Sequence, residues 1–270
     1  MTCTFTILGC GSSAGVPRIG NLWGDCDPNN PKNRRRRCSG LIERNGADGT
    51  TRVLIDTSPD LRDQMIDVGI SSLNGVLFTH EHADHTHGID ELRAFALLMR
   101  KRVPIWANDR TGTMLLGRFG YCFYTPPGSD YPPILNMHRL IPYQPVSVDG
   151  DGGAITSMPI EFEHGTIRAL GFRIGGLAYV PDLNGIPDRA AEALAGLDTW
   201  IVDALRPTPH TSHFSLPETL EWIERLKPKQ AILTNMHIDM DYDTLCRQLP
   251  DNVVPAHDGM QIEIDVNGLA

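Results

Sequence analysis

The densest chemistry in this chain of 270 residues is the run Thr79-His80-Glu81-His82-Ala83-Asp84-His85, with three histidines and one aspartate inside six positions. Imidazole and carboxylate are the ligands that zinc, manganese and iron share. While the backbone stays extended, side chains two apart face the same way. His80 and His82 can therefore grip one divalent ion. Asp84 and His85 follow the change of direction and can serve a second ion beside the first. A lone histidine is more often a satisfied core or solvated residue, but so tight a cluster of His and Asp reads as metal ligands.

Four residues cannot fill two metal shells, so the remainder must come from elsewhere. Three candidates stand just past apolar strand-like runs: His164 after 155–163, Asp182 after 177–180, and His237 after 231–234. A sheet edge presents such side chains to a cleft. Taken singly each is unremarkable; beside the first cluster each becomes a candidate ligand.

The elements that must position them alternate along the chain. Strands are expected over 4–8, 52–55, 75–79, 155–163, 167–174, 177–180, 199–202 and 231–234, and helices over 61–68, 91–100, 189–195, 216–226 and 241–249. Pro217 and Glu218 mark the start of the 216–226 helix. Residues 120–133, rich in Tyr, Pro and Gly, read as an inserted loop. Strands followed by helices, twice over, imply two sheets packed face to face with helices outside. No linker divides the chain, so residues 1–270 are read as one domain.

The His80–His85 turn, with later His, Asp and His at strand ends, resembles the metallo-β-lactamase superfamily. The resemblance extends over nearly the whole chain. Four further stretches are similar to its phosphodiesterase branch: Gly9-Cys10-Gly11-Ser12-Ser13-Ala14-Gly15-Val16-Pro17, Asn33 to Ser39, Leu54 to Asp60, and His85 to Arg93. That branch includes a phosphoribosyl cyclic phosphodiesterase of phosphonate breakdown, and ribonuclease Z is a more distant relative. The resemblance implies an α/β fold, a four-layer αββα sandwich. It implies one ion held by His80, His82 and His164, a second held by Asp84, His85 and His237, and Asp182 bridging them. It places Asp56 behind the site as support. Relatives often carry a histidine two positions before His237, where this chain has Asn235. Some relatives also hold a structural zinc on N-terminal cysteines. Only Cys26 survives in that segment here, and we expect no such zinc.

The expected cofactor is a pair of divalent ions, zinc or manganese, with iron a further candidate. Such a pair can share one hydroxide whose parent water ionises near neutrality, and can neutralise charge on a phosphoryl oxygen. In-line attack expels an alkoxide that needs a proton, and His213 in His210-Thr211-Ser212-His213-Phe214-Ser215 is the candidate donor; its alternative is a capping neighbour on a surface loop. With Asp182 it makes up the catalytic pair. Of Arg34 to Arg37, one or two are expected to face the cleft or a neighbouring subunit, the alternative being a solvated face. Ser12 and Ser13 suit a loop close to substrate or a plain tight turn. His87 touches substrate or caps its neighbours. Tyr121, Tyr124 and Tyr131 suit the contact of a homodimer somewhat better than stacking on a base or sugar. His210, His138 and His257 read as structural.

Bulk properties bound these readings. Hydrophobic residues make up 41% and charged residues 21%, enough for a large core. A net charge of -9 disfavours broad binding to nucleic acid or anionic membrane, without excluding a small anionic substrate at a local positive site. No apolar run approaches a membrane span, and the first residues read as a strand instead of a signal peptide, so a cytoplasmic location is expected. Six scattered cysteines without a CxxC pair are expected to be reduced thiols. The leading expectation is hydrolysis of a small cyclic or nucleotide-like phosphodiester. The same metal chemistry serves thioesters, lactones or β-lactams, so an acyl hydrolase is the rival. Ribonuclease action is disfavoured by the acidic balance, and a non-catalytic accessory role in cofactor biosynthesis by the full ligand set with His213.

Overall fold

The computed structural model describes residues 2–265. Strands β1 (Thr2–Gly9), β2 (Ser39–Asn45), β3 (Thr50–Ile55), β4 (Gly75–Leu77), β5 (Val103–Ala107) and β6 (Leu135–Arg139) form the first sheet. The second contains β7 (Val146–Val148), β8 (Ile155–His164), β9 (Ile167–Ile174), β10 (Leu177–Val180), β11 (Thr199–Asp203), β12 (Gln230–Thr234) and β13 (Val253–Pro255). The last strand, β14 (Met260–Ile264), returns to the edge of the first sheet beside β1. Helices α1 (Leu61–Val68), α2 (Ala83–Thr86), α3 (Leu92–Met99) and α4 (Asp109–Phe119) belong to the first half. Helices α5 (Asp188–Ala193), α6 (Leu216–Leu226) and α7 (Tyr242–Gln248) belong to the second. This is the expected sandwich of two sheets flanked by helices.

Each sheet is antiparallel on one side and parallel on the other. The first runs β14-β1-β2-β3-β4-β5-β6 and turns parallel from β3 onward. The second runs β13-β12-β11-β10-β9-β8-β7 and is parallel from β10 through β13. In the first sheet, alternating side chains feed two cores, as a strand buried on both faces requires. Phe5, Ile7, Ile42, Val53 and Ile55 face the second sheet, whereas Leu8, Leu41 and Leu54 face the outer helices. Phe5 meets Tyr179 across the sandwich, ring centroids 5.1 Å apart. Removing such a buried ring costs ~3–5 kcal/mol, so the inter-sheet packing holds the two halves of the site in register.

The helices over 61–68 and 216–226 and the strands over 167–174 and 177–180 have the expected bounds. The helix expected over 91–100 is divided: a 3₁₀ turn covers Ile89–Glu91, then α3 runs to Met99 and ends at Arg100 with φ 54°. Helix α4 was not expected, because Gly112 and Gly117 each weaken a helix by about 1 kcal/mol. It forms because Asn108 caps it, accepting from the Thr111 backbone N–H at 2.8 Å, and because Leu115 is buried beneath it. No helix among the described residues is long and apolar enough to cross a membrane.

Candidate metal centre

One rim of the sandwich collects the chemistry. His80 lies just beyond the end of β4, His164 is the last residue of β8, and Asp182 lies just beyond β10. Asp203 ends β11 and Asn235 follows β12. The His82–His87 segment turns into the single-turn helix α2, and is pressed against the loop after β3. Gly88 makes this approach feasible: a Cβ there would sit 2.0 Å from the Ser58 carbonyl oxygen.

Ligand atoms of His80, His82, His164 and Asp182 all lie within 4.8 Å of one another. Asp182 Oδ2 is 3.5 Å from both His80 Nε2 and His164 Nε2, and His164 Nε2 is 3.1 Å from His82 Nδ1. The other oxygen, Oδ1, is 3.3 Å from His85 Nε2, which is itself 3.6 Å from Asp84 Oδ2. Asp182 thus presents one oxygen to each group, the arrangement a bridging carboxylate needs. His80 Nε2, His85 Nε2 and Asp182 Oδ1 are buried without a hydrogen-bond partner. Buried polar atoms are rarely left so, and their orphaned state fits a divalent cation.

Outer contacts fix each ring. His85 Nδ1 donates to Asp56 Oδ2 at 2.7 Å, and His164 Nδ1 donates to the Ser212 carbonyl at 2.6 Å. Thr79 donates from N and Oγ1 to the two oxygens of Asp56, and Oγ1 lies 3.0 Å from His80 Nδ1. Their Nε2 atoms are therefore left to face the centre. Asp56, expected as support, is wholly buried with φ 61° and joins β3, Thr79 and His85. Burial lowers His80 and His164, keeping them neutral and ready to donate lone pairs. Burial opposes charge on Asp182, yet His85 outweighs it and holds the carboxyl well below its ordinary range. Burial likewise opposes a proton on His85, but Asp182, Asp84 and Asp56 together raise it. Three carboxylates around one imidazole attract positive charge, which an ion would supply in place of a proton.

His213 stands at the edge of this group, its ring centroid 4.7 Å from that of His164. Its Nδ1 is 2.7 Å from Asp203 Oδ2 and 3.1 Å from Asn235 Nδ2. Burial disfavours its charge, but the Asp203 carboxylate prevails and raises its pKa to about 9. The loop is held by α6, whose Glu218 accepts from the Ser215 backbone N–H at 2.8 Å, closing a capping box. Asp203 and Asn235 went unrecognised in the sequence. Asp203 had a signal, because it ends an apolar strand in the manner of Asp182.

His237 is not drawn into the group. Its Nε2 contacts Arg18 Nη2, and its Nδ1 lies 2.9 Å from Asp239 Oδ2. The arginine run is largely engaged internally. Arg35 is buried and donates to the Met240 carbonyl at 2.6 Å; Arg36 pairs with Asp67 and Asp258, and Arg37 with Asp60. Arg34 alone is exposed, lying over the Trp23 ring. The four border a separate groove of about 620 Å³. Glu81 turns away to Arg110, His87 packs on Phe119, His138 stacks on Trp106, and His257 approaches the Asp258 carbonyl. All six cysteines are free thiols, and Cys26 faces Arg35, away from any histidine cluster. Ser12 closes a tight turn through its carbonyl to Gly15 N, and Tyr121, Tyr124 and Tyr131 are solvent-exposed.

The Beta-lactamase superfamily domain matches residues 51–238. A crystal structure described as a new diphosphatase from the PhnP family is 35% identical, superposes with a TM-score of 0.86, and shares 98% of each chain. Zinc-bound PqqB from Methylobacterium extorquens shares the fold, at 14% identity and a TM-score of 0.72 over 97% of this chain and 100% of that one. A curated relative, an octanoyltransferase of Porphyromonas gingivalis, is 30% identical over 268 residues, 97% of this chain. This chain spans about half, 52%, of that relative's length.

Proposed function

This chain belongs to the metallo-β-lactamase superfamily of hydrolases, and on that premise we propose that it is a phosphodiesterase acting on a small cyclic or nucleotide-like phosphodiester. The observation that carries the reading is the protonated His213–Asp203 pair at the edge of the His/Asp group. A leaving alkoxide needs such a proton donor. The 35% identity to a described diphosphatase supports phosphoryl over acyl chemistry.

The donor set fits two divalent ions, zinc or manganese: His80, His82 and His164 for one, Asp84 and His85 for the other, Asp182 between them. Such ions would lower the pKa of an attacking water and neutralise phosphoryl charge. The remaining chemistry belongs to the chain. His82, exposed at the mouth, borders the entry path. Asp203 holds His213 by Nδ1, leaving Nε2 to protonate the leaving oxygen, with Asn235 steadying the same atom pair. His237 completes the second set only by leaving Arg18, and we assign it as the outer, more weakly held ligand.

The test is a panel of substrates with added manganese or zinc: bis(p-nitrophenyl) phosphate and nucleoside cyclic phosphates against a thioester, a lactone and a β-lactam. Turnover of the phosphodiesters is expected; turnover of acyl substrates alone overturns the proposal. The acyl reading has one specific support, the match of nearly this whole chain to part of an octanoyltransferase, and the same panel decides it.

A further inference from the structure

Beyond the ligand groups, the rim carries positive charge that the hydrolytic step does not use. Arg18 sits at the base of a tight turn closed by hydrogen bonds between Arg18 and Leu22, 3.0 and 3.2 Å. Its Nη2 points at His237, and its Nε is buried without a partner. Arg206 lies one residue beyond Leu205, whose carbonyl accepts from His237 N at 2.9 Å. Its guanidinium donates to the Thr208 and Pro209 carbonyls at 3.2 and 2.7 Å. His210 lies between this arginine and the catalytic edge, its ring centroid 5.2 Å from that of His213. Among the described residues no carboxylate pairs with Arg18, Arg206 or His210; Asp239, beside His237, is the nearest acid in these contacts.

This arrangement is unusual for a chain with net charge -9. Two guanidinium groups and two imidazoles converge where nothing neutralises them. Their mutual influence is visible in His210: burial, then His213, Arg206 and His237, all disfavour its proton. His237 is lowered by burial, with Arg18 and Arg206 adding to it against the opposing Asp239. Like charges are held close at a cost unless an anion joins them. A phosphoryl group fits best, because it accepts from every face and matches the planar fork of arginine.

We infer that Arg18, Arg206 and His210 form an anion subsite beside the metal centre that takes a second, non-reacting phosphoryl group of the substrate. This rests on the phosphodiesterase reading and narrows it: the substrate class is a phosphodiester carrying a further terminal phosphate. Arg18 and Arg206 are specificity residues, and the field they create also speeds capture of an anionic ligand.

The decisive measurement is binding by calorimetry to manganese-loaded full-length protein, without turnover. Thymidine 5′-monophosphate is compared with thymidine 3′,5′-bisphosphate. The wild type is expected to favour the bisphosphate by about tenfold or more, ~1.4 kcal/mol. Arg18→Gln and Arg206→Gln each shrink that ratio at least about threefold, whereas Arg93→Gln, on the remote helix α3, leaves it intact. Arg18 and Arg206 stand on separate loops, so a folding defect in one variant leaves the other readable by its thermal melt. Inorganic phosphate, as competitor, is expected to erode the bisphosphate advantage before it displaces the monophosphate. Equal wild-type affinities overturn the subsite, as does a ratio unchanged in both variants or equal competition by free phosphate. Failure to hydrolyse any phosphodiester sinks the activity reading instead, and does not alter the binding comparison.

Discussion

The two sides of the metal centre are built to different standards. On one side, His80, His82, His164 and the Oδ2 of Asp182 converge with their ligand atoms within 4.8 Å. Burial keeps His80 and His164 neutral. On the other, Asp84 and His85 share the Oδ1 of Asp182, while the remaining candidate, His237, is engaged by Arg18 and Asp239. The first side is complete in itself. The second depends on a ring that must change partners. A site can thus hold one ion firmly and admit another according to conditions.

That contrast can be broken most severely at the shared carboxylate. Asp182→Asn should strip metal from both sides, seen by elemental mass spectrometry, and lower turnover by roughly 10³-fold, about 4 kcal/mol of transition-state stabilisation. His213→Asn should separate metal binding from proton donation. Metal content is expected to stay at the wild-type level while kcat falls ~10²–10⁴-fold; loss of metal along with activity would remove His213 from its assigned role.

The asymmetry itself is sharpened by a pair of variants. Asp56→Asn, which loosens the support of His85, should weaken metal affinity about 10–100-fold. His237→Ala should weaken it by less than Asp56→Asn and release no more than one ion per chain. A larger loss from His237→Ala would show the two sides to be equal. The smallest effect concerns the loop that carries His237. Asp241 caps α7 by accepting from Thr244 N at 2.9 Å and binds Asn33 Nδ2 at 2.8 Å. Burial pushes its pKa up, but the Thr244 and Asn33 hydrogen bonds prevail and hold it at about 2. Its folded pKa is below the ordinary ~3.9, so its stabilisation is present above that value and lost as pH falls through about 2. Thermal melts of Asp241→Asn should show a deficit of about 1 kcal/mol at neutral pH that closes below pH 4.

The same asymmetry governed what could be read from the amino-acid order. The first cluster was legible because one turn supplies most of its ligands within six positions. His164 and Asp182 were legible because apolar strands end beside them. His237 followed the same rule, yet its partner Arg18 lies 219 residues away in the chain, and no local pattern announces such a contact. The arginine run misleads for a related reason. Whether Arg35 reaches a cleft or a buried carbonyl depends on where 240 comes to rest, not on its neighbours. Among the elements, β2, β5, β6 and α4 escaped because tertiary burial, instead of local propensity, sustains them.

One carboxylate has a wider consequence. Asp56 binds the end of β3, the backbone and hydroxyl of Thr79, and His85 at once, and is sealed from solvent. The chelating geometry is therefore completed during folding, before any cation arrives. Uptake then resembles the loading of a rigid macrocycle more than the collapse of a zinc finger around its ion. For such a protein, demetallation should leave the fold standing and the cage open for exchange between metals.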